Sequence, residues 1–268
     1  RIVHFRSTGD GRPDTIRRAL YRKIMRRLAD KHATAIVAVS RAAMEHAWGA
    51  RWQRDPRARV IYNGLDLTPF RDLPADTAEV RSELGVPRDG LLAINVGRID
   101  PPKAHDVLLE AAAQVIRQES RLHLLIVGDG SLRQEMQRKA RDLNIHKNVH
   151  FLGIRDDVPR LLIASDCFVL SSRREGLPGA LLEAIAARLP VVAIDLPGIR
   201  EVAEHTKLIT MVPVEDPSAL ASALLGTLKQ TGDRSAVPTP FPSVFDLQSC
   251  ADNVHGMYLR ALDREQTV

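Results

Sequence analysis

The chain has 268 residues, 44% of them hydrophobic, and a formal charge of +5. That length fits one large domain or two small ones, and no apolar run reaches the ~18–20 residues that cross a bilayer as a helix. Cys167 and Cys250 stand far apart in no metal-ligand spacing, which argues against a disulfide scaffold or a zinc module and fits a reducing cytoplasm.

The sequence opens at Arg1 rather than Met, and residues 2–5 already read as a strand, so the natural N-terminus is expected upstream. Next, Ile16, Leu20, Ile24 and Leu28 recur every four residues among Arg17, Arg18, Arg22, Lys23, Arg26, Arg27 and Lys31. This spacing predicts a basic amphipathic helix over residues 15–30. Such a helix suits an anionic membrane surface or a phosphorylated acceptor; a solvated cationic face is the equal alternative. Nucleic acid is not expected as a partner, because aromatics for stacking are few and no known binding module occurs.

Apolar β-branched runs then alternate with helical periods. Strands are predicted at 35–39, 59–62, 91–96, 122–127, 149–152, 167–170 and 191–194. Helices are predicted at 41–48, 78–84, 105–118, 132–142, 158–164, 179–188, 217–229 and 244–262. The alternation implies an α/β fold with a parallel, doubly wound sheet whose strands are buried on both faces. A boundary is expected after the Asn63-Gly64 turn, near residue 72, and a Pro/Thr/Ser-rich linker over 231–242 sets off the last helix.

In such sheets ligands bind at the carboxyl ends of the strands. After 91–96 comes Gly97-Arg98-Ile99-Asp100-Pro101-Pro102-Lys103, two cations before a helix start, which suits a diphosphate; two plain surface cations would look the same. After 122–127 comes Gly128-Asp129-Gly130-Ser131. It begins like a dinucleotide fingerprint but has Arg133 where the third glycine belongs, which argues against NAD as a ligand. Its small residues allow either close approach of a base or phosphate, or a tight turn. Arg155 follows another strand, and Arg173, Arg174 and Glu175 the next.

Glu175 and Glu183 are eight positions apart across a Gly/Pro turn and a helix start. Glu183 stands among Ala, Leu and Ile residues, so its carboxylate needs either a ligand hydroxyl pair or a neighbouring arginine. No Asp-x-Asp clamp, Gly-x-Ser-x-Gly elbow or Walker loop occurs, and no metal is expected.

From about residue 33 to 262 the chain resembles the retaining glycosyltransferases of family 4, also called group 1. The resemblance rests on Ala38-Val39-Ser40, Ile61-Tyr62-Asn63-Gly64, Val96-Gly97-Arg98 with Lys103, and Val127 to Gly130. Val149 to Gly153, the Glu175-to-Glu183 segment and Leu189 to Ala193 complete the series. It implies the GT-B architecture: one complete Rossmann-like C-terminal domain over 73–240, a partial N-terminal one over 1–72, and a terminal helix, 241–268, that crosses back. Most of the acceptor-side domain would then lie outside this sequence.

The implied activity is transfer of a hexosyl unit from a nucleotide-diphosphate sugar, UDP- or GDP-linked, to a glycan or lipid-linked acceptor. Cell-envelope or exopolysaccharide synthesis at the cytoplasmic membrane face is the implied setting, with no cofactor. Arg98 and Lys103 would hold the diphosphate, with Gly97 and Gly128 beside them. Glu183 would bind the ribose hydroxyls and Glu175 a hydroxyl of the transferred sugar. Backbone at Gly176, Leu177, Gly179, Ala180 and Leu182 would contact sugar and phosphate, and Arg155 would lie near the base. His4 falls at the family's active-site histidine, with Arg6 as the alternative register. Two other readings remain: a nucleotide-sugar-binding module without turnover, and an epimerase on the same architecture.

Overall fold

The computed structural model describes residues 1–8, 15–71, 77–230 and 240–263. In chain order the first elements are β1 (Ile2–Phe5), α1 (Ile16–His32), β2 (Ala35–Ala38), α2 (Arg41–Trp48), β3 (Ala58–Val60), α3 (Thr68–Arg71) and α4 (Ala78–Glu83). Then come β4 (Leu91–Val96), α5 (His105–Ile116), β5 (Leu122–Val127), α6 (Arg133–Asp142), β6 (Val149–Gly153), α7 (Val158–Ala164) and β7 (Cys167–Leu170). The last are α8 (Gly179–Ala186), β8 (Val191–Ile194), α9 (Pro197–Ala203), β9 (Ile209–Val212), α10 (Pro217–Gln230) and α11 (Leu247–Asp263). Two compact units form: Arg1–Asp66 with Arg174–Pro178 and Pro242–Val268, and Leu67–Arg173 with Gly179–Phe241.

In the first unit β1, β2 and β3 make a parallel sheet in that order. β2 is buried along its whole length, and Met257 of α11, with Cys250 and Val254, packs on Ala35, Val37 and Ile61. The return of the chain is fixed by backbone: Leu65 N–H donates to Phe245 O (2.8 Å) and Leu247 N–H to Leu65 O (3.1 Å). Phe245, fully buried, meets the Tyr62 ring edge-on at 5.0 Å. This pairing explains why the first unit ends at Asp66, just past the Asn63-Gly64 turn.

Helix α1 starts at Thr15, whose hydroxyl caps Arg18 N–H, and buries none of its side chains. An amphipathic helix ordinarily seats its apolar stripe on a core. Here the polar side is the anchored one. Arg26 stacks over Trp48 at 5.6 Å and donates to its carbonyl, while Asp30 accepts from Arg57 (2.9 Å). Ile16, Leu20, Tyr21, Ile24, Met25 and Leu28 are left exposed.

The second unit is a six-stranded parallel sheet in the order β6-β5-β4-β7-β8-β9. Its central strands are buried on both faces, as their unbroken apolar runs require: Leu92, Ala93, Ile94, Leu124, Leu125 and Ile126 are fully covered. Strand β9 and helix α9 were not legible from the sequence. β9 is an edge strand whose middle residues face water, so its Thr-Met pair breaks the apolar run that marks its neighbours. The expected linker falls largely on residues 231–239, outside the described residues.

Arg81 of α4 joins its own helix to the start of β4 and to the α7–β7 turn more than 80 positions away. It donates to Ala164 O (3.1 Å), Gly90 O (2.7 Å) and the Asp166 carboxylate (2.7 Å), which also accepts Leu92 N–H (2.7 Å). Arg81→Ala should lower stability by about 2–4 kcal/mol, because buried acceptors lose a charged donor. Arg81→Lys should restore only part, since one ammonium cannot replace the fork. Urea unfolding of the three proteins checks both.

Candidate functional site

The strand order of the second unit reverses between β4 and β7. At such a switch point the loops leaving adjacent strands diverge, and ligands bind at their carboxyl ends. The loops in question are 97–104 after β4 and 171–173 after β7, together with the start of α8.

Loop 97–104 is held by its neighbour. Ile99 N–H donates to Asp129 O (3.0 Å), Leu132 N–H to Ile99 O (2.9 Å), and Asp100 accepts both the N–H (3.0 Å) and hydroxyl (2.9 Å) of Ser131. The glycines make this approach possible. Gly128 has φ +130°, and a Cβ there would stand 2.1 Å from Gly97 O; a Cβ on Gly130 would stand 2.5 Å from Ile99 O. What comes close to Gly128-Asp129-Gly130 is therefore the neighbouring backbone. Arg133, in place of a third glycine, donates to Phe151 O (3.1 Å) and pairs with Asp129, tying the loop to β6.

Arg98 projects with its side chain 79% exposed and touches Asp100 at 3.2 Å. Lys103 is partly buried, its stem alongside Gly97, and its carbonyl accepts the Ser171 hydroxyl (2.9 Å). Ala104 is left-handed (φ 50°, ψ 45°), and α5 begins at the next residue. Arg173 closes the arrangement: its N–H donates to Pro102 O (2.8 Å), and its guanidinium to Pro101 O (3.1 Å), Asp106 (2.8 and 3.1 Å) and Glu215. The clamp was invisible in the sequence because Asp106 and Glu215 lie 67 and 42 positions away.

The cations on this edge therefore differ. Arg173 is spoken for by two carboxylates. Arg155 is held in a two-point pair with Asp157 (2.7 Å for both bonds), while its neighbour Ile154 is 81% exposed. Arg98 and Lys103 are the cations on the loop after β4, Arg98 touching Asp100.

Glu183 is partly buried on α8 between Leu182 and Ala184, both covered. No arginine or other side chain pairs with its carboxylate among the described residues, and burial alone raises its pKa. The bland reading of this glutamate, a structural ion pair, has no partner to support it. Leu182 has its side chain in the core, which leaves only its backbone for a ligand; Gly179 is exposed and Ala180 partly so.

Glu175, Gly176 and Leu177 belong to the first unit. Thr8 donates its hydroxyl to Glu175 O (3.1 Å), and a Cβ on Gly176 would lie 2.6 Å from Arg6 O. The structure thus sets the segment from Arg6 to Thr8 against this turn. His4 lies further back, exposed within β1 opposite Val37, its pKa lowered by partial burial and by Arg6. Sequence spacing also concealed a second pair: His123 Nδ1 and His150 Nε2 meet at 3.0 Å across β5 and β6.

A family profile, glycosyl transferases group 1, matches residues 91–230. The chain belongs to that family. It is 36% identical over 196 residues to a D-inositol 3-phosphate glycosyltransferase of Frankia alni, covering 69% of this chain and 48% of the relative. It is 38% identical over 152 residues to the UDP-Gal:alpha-D-GlcNAc-diphosphoundecaprenol alpha-1,3-galactosyltransferase of Escherichia coli, covering 54% and 38%. The chain thus spans less than half the length of these curated relatives. In fold it is similar to Anabaena HepE, solved in complex with UDP: TM-score 0.83, 22% identity, 96% of this chain and 71% of that one.

A carboxyl whose pKa rises on folding binds its proton more tightly in the native state, so it lowers stability as pH rises through its range. Glu183→Gln should therefore be more stable than the parent at neutral pH, by about 0.5–2 kcal/mol, and the gap should close as pH falls through the carboxylate range. Calorimetric melts from pH 7 to about 4 read this out.

Proposed function

We propose that the protein transfers a hexosyl unit from a nucleotide-diphosphate sugar, UDP- or GDP-linked, to a glycan or lipid-linked acceptor with retention. The observation that carries the reading is Glu183: a carboxylate buried at a cost on an apolar helix, at the switch point, with no protein partner among the described residues. A vicinal diol such as a ribose supplies two hydroxyl donors to such an acceptor. Arg98 and Lys103 take the diphosphate beside the start of α5, whose N–H groups favour an anion. As the bond from the anomeric carbon to the phosphate oxygen breaks, negative charge grows on the departing diphosphate, and these two cations stabilise it. The acceptor oxygen attacks from the same face and gives its proton to the leaving phosphate. The E. coli relative, named for a diphosphoundecaprenol-linked substrate, supports a lipid-linked acceptor in envelope synthesis.

Titration calorimetry with UDP, GDP and their hexose conjugates tests the donor. Glu183→Ala should weaken binding by about 1.5–3 kcal/mol, the value of hydrogen bonds to a charged group. Lys103→Ala should slow transfer about 10²–10³-fold in whichever form of the protein turns over. Absence of binding by every nucleotide would sink the proposal. Because the chain spans less than half of these two curated relatives, a second reading stays open: donor held without turnover, recognised as binding with neither transfer nor hydrolysis.

The acceptor side is proposed to work at the inner face of the cytoplasmic membrane, through α1. No helix among the described residues is long and apolar enough to cross a membrane. α1 instead presents an exposed apolar stripe flanked by Arg17, Arg18, Lys23, Arg27 and Lys31, the composition of a helix lying in a lipid headgroup layer. Vesicles containing phosphatidylglycerol should bind the protein, and pure phosphatidylcholine vesicles should not. Binding should fade with salt and with Ile24→Glu, each basic residue being worth about 1 kcal/mol near such a surface.

A further inference from the structure

His105, the first residue of α5, is 2% exposed, and neither of its ring nitrogens has a hydrogen-bond partner. Buried polar atoms are almost always partnered, and each one left unmet costs about 1–3 kcal/mol. At the other end of the same loop Asn95, 3% exposed, donates to Val169 O (2.7 Å) but leaves its own Oδ1 unpartnered. Three unmet polar atoms therefore bracket loop 97–104.

The loop does not depend on this ring for its shape. Ser131, Ser171 and Arg173 already hold it through Asp100, the Lys103 carbonyl and the Pro101 and Pro102 carbonyls. An apolar residue at position 105 would fill the same volume without the cost. The ring is neutral: burial and then the Lys103 charge push its pKa down to about 4, against the weaker pull of Asp106 and Asp100. A neutral imidazole carries one N–H and one lone pair. It can direct an anion without adding charge that product release would have to overcome.

We propose that His105 is a positioning residue for the donor: its ring N–H is taken up, directly or through one ordered water, by the diphosphate drawn to this loop, and this fixes Lys103 and the first turn of α5 around it. The inference rests on the proposed donor site. It explains why a cost is kept next to Lys103, since the unmet donor is satisfied on binding.

Calorimetry with UDP and GDP on the parent, His105→Leu and His105→Gln, with ¹⁵N-histidine NMR of the parent, tests it. Expected are about tenfold weaker binding by His105→Leu, recovery of most of that loss by His105→Gln, and an unchanged or higher melting temperature for His105→Leu without nucleotide. One ring nitrogen of His105 should shift toward a hydrogen-bonded N–H on saturation. Unchanged affinity in His105→Leu, or ring resonances that stay put on saturation, overturns the role while the donor site stands. Equal weakening in both variants together with a lower melting temperature overturns it too, in favour of a packing role. If the parent binds no nucleotide, the donor site itself fails and the inference falls with it.

Discussion

One guanidinium holds together the part of the second unit on which its chemistry would depend. Arg173 follows β7; its backbone N–H donates to Pro102 O, and its guanidinium reaches across the switch point to Pro101 O and is neutralised by Asp106 at the start of α5 and Glu215 beyond β9. Three loops from separate strands are thereby fixed to one planar group. An isolated exposed ion pair is worth little, but a fork that satisfies two carboxylates and a carbonyl gives direction as well as energy. Arg173 is so engaged, while Arg98 and Lys103 stand on the loop after β4, Arg98 beside Asp100.

Around this frame the protein keeps groups that do not stabilise it. Glu183 is partly buried without a partner among the described residues, and His105 holds two unmet nitrogens. Sites that must bind something are often stocked in this way, because a group already satisfied by the protein has nothing to offer a ligand. The contrast with Asp166 is instructive: it is met by Arg81 and the Leu92 N–H, and it reads as architecture.

The first unit shows the same logic at its surface. Arg26 and Asp30 anchor α1 by its polar side to Trp48 and Arg57, so the apolar stripe is turned outward. Hydrophobic periodicity predicts that such a stripe exists and is silent on which side the fold will use. That choice came from the Arg26–Trp48 contact and the pairing of Asp30 with Arg57 and Arg51, all between residues more than 20 positions apart.

Much of this was legible in the chain. Long apolar runs gave β4, β5, β7 and β8 their bounds, since a strand buried on both faces has to be apolar throughout. The oddness of Glu183 among Ala and Leu, and the spacing of Arg98 and Lys103 after a glycine, were visible from local chemistry, which left a ligand and a plain structural role equally open. Tertiary structure decided the rest. It showed that Gly128 and Gly130 make room for a neighbouring backbone, that Arg155 and Arg173 are occupied by Asp157, Asp106 and Glu215, and that His105 is buried without partners. These are facts about pairing, and pairing depends on which distant segments the sheet brings to one edge; sequence order sets what each residue can do, and only the fold sets what it meets.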